Sequence, residues 1–433
     1  MLKRVTVALL TGVMLLCAAC GTAPMVHGTP DKPFAGQTVN VLMEQHTSSD
    51  AIRQLLPEFE KTTGIKVNLD IVPYDNLTSK ALLGFSQGSD QYDVVFDDWI
   101  HGLAYAKAGY IVPLAPYAQK LSSYYHEQDF YAPYIQMPRY DKQLYGLPVY
   151  GESTFLMYRK DLFEKYHIAV PKTMNELEAA AQKIYSATDG KVYGITLRGQ
   201  QGIQNVYVWS AFLWAFGGQW LQGNHVALDS QQALKALKFY TDLLNRYGPP
   251  GVANFGWQEN RLLFQQGKAA MTIDATVNGA YNEDPAQSSI VGKVGYAPVP
   301  TAVADPVGSP SSLEVHGLYL SKFSTHPEAA WLFMSWATSK QVQLQRMQIS
   351  PDSGVTALAA IDSQTFKDRY GAFRETMLAS LARGNSNYLP QIPQSNQIIN
   401  YAGIAIAQAL VGAQKPDAAL ASAARQCNQL LGG

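Results

Sequence analysis

The sequence predicts an α/β protein built as two doubly wound domains. Three observations carry that prediction. Of 433 residues, roughly 410 follow an apolar N-terminal run, too many for a single hydrophobic core. Apolar residues make up 47% and charged residues only 15%, enough for two sizeable cores and below the roughly 25% charged content of an ordinary soluble domain. From Thr38 onward, short alternating apolar runs take turns with segments of helical spacing, the βαβ pattern of a mostly parallel sheet.

The N-terminus has a different logic. Lys3 and Arg4 precede a nearly continuous apolar run, Val5 to Cys17, followed by Ala18, Ala19 and Cys20. A charged start, an apolar stretch and a small-residue end describe a secretory signal, and the run is shorter than the ~20 apolar residues of a membrane span. The small-small-Cys ending resembles the bacterial lipobox, in which a lipid is attached to the cysteine and cleavage follows on its N-terminal side. Cys20 takes that position, and Cys17 stands where the lipobox usually has an aliphatic residue. An ordinary secretion signal would not need that step, so residues 1–20 are read as a lipoprotein signal and lipobox. Residues 21–36, GTAPMVHGTPDKPFAG, form a Pro/Gly-rich linker able to hold a tethered domain off a membrane surface.

Composition excludes several partner classes. A net charge of -1 and a pI near 6.7 argue against a nucleic-acid surface. No later stretch is apolar and long enough to cross a bilayer. Beyond the signal the only cysteine is Cys427, so the mature chain has no internal disulfide unless Cys20 takes part, and the cores must stabilise it. The 25 tyrosines and 7 tryptophans suit the C–H faces of sugars, but tyrosine is also an ordinary half-buried residue.

Along the chain, TVNVLM (38–43) is a strand, and Ile52, Leu55, Leu56 and Phe59 mark a helix capped by Ser48 or Ser49, stopped by Gly64 and kinked or delayed at Pro57. IKVNLDIV (65–72) is a strand, and Asp75 caps the helix after it. YDVVF (92–96) is a strand followed by a helix through WIHGLAYAKAG. YGLPVYGESTFLMY reads as two short strands joined through Gly151 and Glu152. Thr173 and Glu176 have capping-box spacing. VYGITL (192–197) is a strand ending at Arg198, and Val206–Phe216 a helix stopped by Gly217 and Gly218. Asp229 caps a helix through Tyr247. KAAMTI (268–273) is a strand ending at Asp274, with a helix expected from about Ala275. VGKVGYAPVP (291–300) leads to the strand GLYLSK and to a long helix from Pro327, whose Trp331, Phe333, Met334 and Trp336 are read as core.

In parallel sheets ligands bind at the carboxyl ends of strands, which here carry Glu44, Asp97, Asp98, Trp99, Glu152, Arg198 and Asp274. No G-x-S-x-G, P-loop, G-x-G-x-x-G or H-E-x-x-H is present, and no Cys/His pairing has metal spacing; neither cofactor nor metal is expected. The strand-end carboxylates admit two chemistries, a glycosidase acid/base pair or acceptors for sugar hydroxyls. Each is also compatible with a plain surface or capping role, and spacing alone does not separate these.

YGLPVYGESTFLMYRKDLFEKYHIAVPKTMNEL, FEKTTGIKV, DQYDVVFDDW with the following AGYIVPL, and QGKAAMTIDATVNGAY resemble, in order and spacing, the bacterial extracellular solute-binding proteins of family 1, the sugar-binding subunits of ABC importers. The resemblance runs over roughly residues 38 to 411, both expected domains. YGLPVYGES, YGITLRG, AFGGQW, IDATV and VGYAPVP are most similar to the sorbitol/mannitol (polyol) branch. That branch has aromatics just before the strand at 317–322, where this chain has Ser312, Leu313, Glu314, Val315 and His316. The resemblance implies a type II periplasmic-binding-protein fold, two lobes joined by hinge strands and closing on a ligand. Crossovers are expected near 147–151, 296–300 and 346–354, giving one lobe of 37–147 plus 300–346 and another of 151–296 plus 354–433. It implies ligand contacts from Glu44, Asp97, Asp98 and Trp99 on one side and from Glu152, Arg198, Trp209, Asp274 and Gln394 on the other. His316 is read as a core histidine. The implied partners are a sugar or sugar alcohol, the permease in the membrane and a lipid on Cys20, with a monomeric protein outside the cytoplasm. A secreted carbohydrate-active hydrolase is the competing reading.

Overall fold

The computed structural model describes residues 31–432. The expected signal, Cys20 and the first part of the linker lie outside the described residues.

The first sheet has five strands in the order Lys66–Val72, Thr38–Glu44, Val94–Asp98, Glu314–Leu320, Gly146–Glu152. The first three run parallel and the last two join antiparallel. Strands Val94–Asp98 and Glu314–Leu320 are buried along their whole length, as expected where helices cover both faces. The helix Thr47–Thr63 turns Ile52, Leu56 and Phe59 onto the sheet, and Phe59 meets Phe333 and Trp336 at ring distances of 6.0 and 4.8 Å. The helix Pro327–Ala337 is indeed core: Trp331, Phe333 and Met334 are fully buried. The cap of Thr47–Thr63 is the His46 side chain, accepting from Ser48 N–H, rather than Ser48 or Ser49. Pro57 sits inside that helix, which continues past it because buried residues hold the turns on either side. Asp75 lies in the first turn of Tyr74–Ser86 but does not cap it.

The second sheet corrects the expectation of a doubly wound parallel sheet there. Its three strands, Met271–Ala275, Thr154–Arg159 and Val294–Ala297, are all antiparallel. Residues 192–197 form no ladder strand and pair only through single parallel bridges, Tyr193 to Ala269 and Thr196 to Thr272. The backbone gives the reason: the N–H groups of Gly194 and Ile195 are diverted to the Tyr247 carbonyl. Gly194 lies so close to the helix Met174–Ala187 that a Cβ would sit 2.5 Å from the Ala181 oxygen. That helix carries the expected capping box between Thr173 and Glu176. The helix at 231–247 is capped by Ser230 rather than Asp229.

The chain passes from the first sheet to the second at Ser153, between Gly146–Glu152 and Thr154–Arg159. The return is later than position 300. Thr301 bridges Thr173, Ala302 donates to the Ala215 carbonyl and Leu313 to that of Asn385, so residues 301–313 pack against the second half. The segment 346–354, where a third crossing is expected, is held by Arg346. It is fully buried, and its guanidinium donates to Asp352 at 2.6 and 2.8 Å and to the Val149 carbonyl at 3.1 Å.

Candidate functional site

Between the two sheets lies a cavity of about 210 Å³. One wall is the edge of the first sheet. Glu44 and Asp98 end neighbouring parallel strands, and Glu152 ends Gly146–Glu152. The antiparallel strand Glu314–Leu320 starts at the same edge, which sets Glu314 opposite Glu152 and His316 opposite Asp98 and Tyr150. All five ionisable side chains are buried and line the cavity.

His316 is the hub of this wall. Its Nδ1 ion-pairs with Asp98 and lies 3.9 Å from Glu44 Oε2, and its Nε2 lies 3.9 Å from Glu152 Oε1. The imidazole stacks on Tyr150 at 4.0 Å, and Tyr150 stacks on His46 at 4.4 Å. Tyr150 donates to Glu44 at 3.1 Å and Tyr74 to Asp98 at 2.5 Å. Burial opposes charge on Glu44, Glu314, Asp98 and His316. It pushes Glu44 up to about 8, aided by Asp98 and Glu152 and only partly offset by His316. Glu314 is raised well above the usual carboxylate range by burial and Asp98. At Asp98 burial acts the same way but is outweighed by His316, His101 and the Tyr74 hydroxyl, which bring it down to about 2. For His316, burial works against the imidazolium, and Asp98 and Glu152 overcome it, raising its pKa well above the ordinary histidine value.

The other wall comes from the second half. Arg198 donates from Nε to both Asp274 oxygens at 3.1 Å and from Nη2 to Oδ1 at 2.5 Å, bonds Gln204 Oε1 at 3.3 Å, and lies over the Tyr207 ring at 4.9 Å. The two walls touch across the mouth. Asp75 accepts from Gln200 at 3.3 Å and Gln204 at 3.2 Å, Thr47 pairs with the Tyr281 hydroxyl at 3.2 Å, and His46 faces Trp257 at 6.0 Å.

Of the residues expected from sequence, Glu44, Asp98, Glu152 and Arg198 line the cavity. Five do not. Asp97 points to the opposite face of its strand, where His101 Nδ1, the Tyr105 hydroxyl and the Asp98 N–H surround it. Trp99 is buried against Tyr319. Trp209 packs edge-on to Trp220 in a helix buried all round. Asp274 is fully buried behind Arg198 and also accepts from Asn260 at 2.7 Å. It lies within an antiparallel strand rather than before a helix. Gln394 lines a separate groove with Tyr110 and Asn400. His316, expected in the core, lines the cavity. Tyr74, Asp75, Tyr150, Gln204, Tyr207, Trp257 and Glu314 were not anticipated. Alternation along the strand carried a signal for Tyr150, which stands two before Glu152.

Among the described residues no group of His, Cys, Asp and Glu is arranged to hold a metal ion, and no helix is long and apolar enough to cross a membrane. What the cavity offers is dense hydrogen bonding between aromatic faces, drawn from both halves of the chain.

The family model of bacterial extracellular solute-binding proteins matches residues 44–344. A mannitol-binding protein of Pseudomonas aeruginosa is 32% identical over 300 residues, covering 65% of this chain and 67% of that one. Two solved structures overlay nearly the whole chain. A solute-binding protein of Agrobacterium vitis with bound D-mannitol has a TM-score of 0.84 at 28% identity, covering 91% of this chain and 98% of that one. One from Agrobacterium radiobacter K84 in complex with ribitol has a TM-score of 0.86 at 27% identity, covering 92% and 100%.

Proposed function

The chain belongs to the bacterial extracellular solute-binding proteins, and from that premise we propose that it captures one small sugar or sugar alcohol between its two halves and hands it to the permease of an ABC importer. The observation that carries the ligand reading is the convergence of Glu44, Asp98 and Glu152 from one half with Arg198, Gln204 and Tyr207 from the other on one cavity. A ligand drives closure only if it contacts both sides, because equal affinity for open and closed forms shifts nothing. The cavity volume of about 210 Å³ corresponds to on the order of 7 waters at about 30 Å³ each, room for a pentitol, hexitol or monosaccharide. Relatives that bind mannitol and ribitol support the same size class.

Calorimetry on the purified protein with pentitols, hexitols and monosaccharides should give saturable binding by at least one of them, with a smaller scattering radius when bound. A panel with no binder sinks the reading. The competing reading has one observation in its favour. Glu44, held protonated up to about pH 8, beside ionised Asp98 is the kind of split carboxyl pair that glycosidases use. Release of product from oligosaccharides would establish that reading in place of capture.

A binder serves its permease best from the membrane surface, and Cys20 is the proposed tether. One acyl chain holds a protein only marginally, so more than one is required. Labelled fatty acid should enter the wild-type protein and not Cys20→Ala; label in the variant would refute the tether.

A further inference from the structure

The cavity wall built from the first sheet has an imbalance that a neutral polyol does not explain. Glu152 and Glu314 are directly opposite on neighbouring antiparallel strands, an arrangement that is destabilising when both are ionised. Both are buried, and Glu44 and Asp98 border the same space. The cationic group of this wall is His316, which is paired with Asp98 and lies 3.9 Å from both Glu44 and Glu152. Glu314 Oε1 is buried in this wall with no hydrogen-bond partner.

Most of the nearby donors are engaged inside the protein, while His46 Nε2, buried at the same wall, has no partner. Tyr74 donates to Asp98, Tyr150 to Glu44, and Trp257 Nε1 to Asn278 at 2.7 Å. Arg198 keeps N–H bonds to spare, but it belongs to the opposite wall and is held by Asp274 and Gln204. One side of the cavity is therefore dense in carboxyl groups and short of positive charge. A polyol hydroxyl must accept as well as donate, whereas an ammonium group has three donors and no acceptor.

We propose that the ligand is a polyhydroxylated amine, an amino polyol or amino sugar, whose ammonium group lies between Glu152 and Glu314 while its hydroxyls reach Arg198 and the aromatic faces. This inference rests on the solute-binding role proposed above and names its substrate class. Burial, with the neighbouring carboxyls adding to it, holds Glu44 and Glu314 in their protonated forms, and that ammonium supplies the counter-charge that lets them ionise. Binding of the amine therefore releases protons, and binding of a neutral polyol does not.

The test is calorimetry near neutral pH with 1-amino-1-deoxyglucitol, glucitol and the N-acetylated amine, repeated in buffers of different ionisation enthalpy. The amine is expected to bind about tenfold or more tighter than glucitol, the difference between a charge-assisted and a neutral hydrogen bond. Acetylation should erase the preference, Glu314→Gln should shrink it, and proton release should accompany the amine alone. Glucitol binding as tightly as the amine overturns the inference and leaves the solute-binding reading intact. Failure of every sugar, polyol and amine to bind overturns both.

Discussion

Asp274→Ala is expected to destabilise the protein by about 3–5 kcal/mol, the usual consequence of stripping the partner from a buried charge, and to abolish ligand binding with it. Asp274 is fully buried, and the side chain of Arg198 is nearly so. The carboxylate receives three Arg198 contacts, one from Asn260 and one from the Ala275 N–H. Without it the guanidinium loses its orientation over Tyr207 and its counter-charge together. Asp274→Asn keeps the shape and some of the hydrogen bonds, so it should fall between wild type and Ala. Replacing both partners, Arg198→Met with Asp274→Leu, removes the stranded charge. That pair should recover much of the stability without recovering binding. Urea denaturation and calorimetry on the same samples separate the possibilities. An Ala variant as stable as wild type would mean that Asp274 is not the counter-ion. Lost binding at unchanged stability would mean that it touches the ligand directly.

The Asp274 case shows what the sequence makes legible and what it does not. The first half of the first sheet was readable because its strands and helices alternate in chain order, so a strand's last residue falls at the ligand edge; Glu44 and the pair Asp97 and Asp98 follow from that. Asp97 and Asp98 were inseparable by the same rule, since neighbours on a strand face opposite ways and only the packing shows which way each points. In the second half the strands are antiparallel, so a strand end predicts no ligand edge. Strand end and family resemblance pointed to Asp274 and Arg198 alike, and the structure sets Arg198 at the cavity with Asp274 behind it. Trp209 failed because its helix is apolar on every side and gives no face to choose; Gln204 and Tyr207, three residues apart, form the face that meets the cavity. Glu314 and His316 were hidden because the strand was expected to begin at Gly317, which left both in a nominal loop.

The contribution of Glu44 to the stability of the ligand-free protein is expected to be greatest near about pH 5 and to fall toward pH 8, by on the order of 4 kcal/mol. Glu44 keeps its proton in the folded state from its usual value of 4.5 up to about 8, whereas the unfolded chain gives it up at the lower value. Across that window the folded state binds one more proton, so stability drops by about 1.4 kcal/mol for each pH unit. The surroundings determine whether other groups add to this or oppose it. His316 and Glu314 on one strand, Asp98 on another, and Tyr150 with Glu152 on a third all face Glu44. His316 and Glu314 are also raised, so their contributions are present at low pH and fade as pH rises, in the same sense as that of Glu44. Asp98 is lowered to about 2. Its contribution is present above its ordinary value near 3.8 and is lost as pH falls through about 2, which shapes only the acid limb. Glu44→Gln removes one titrating group while keeping an acceptor for Tyr150. Denaturation at several pH values should show the variant with a slope shallower by up to about 1.4 kcal/mol per unit. A wild-type stability that is flat or rising between pH 5 and 8, or a variant with the wild-type slope, would rule out a protonated Glu44 at the cavity wall.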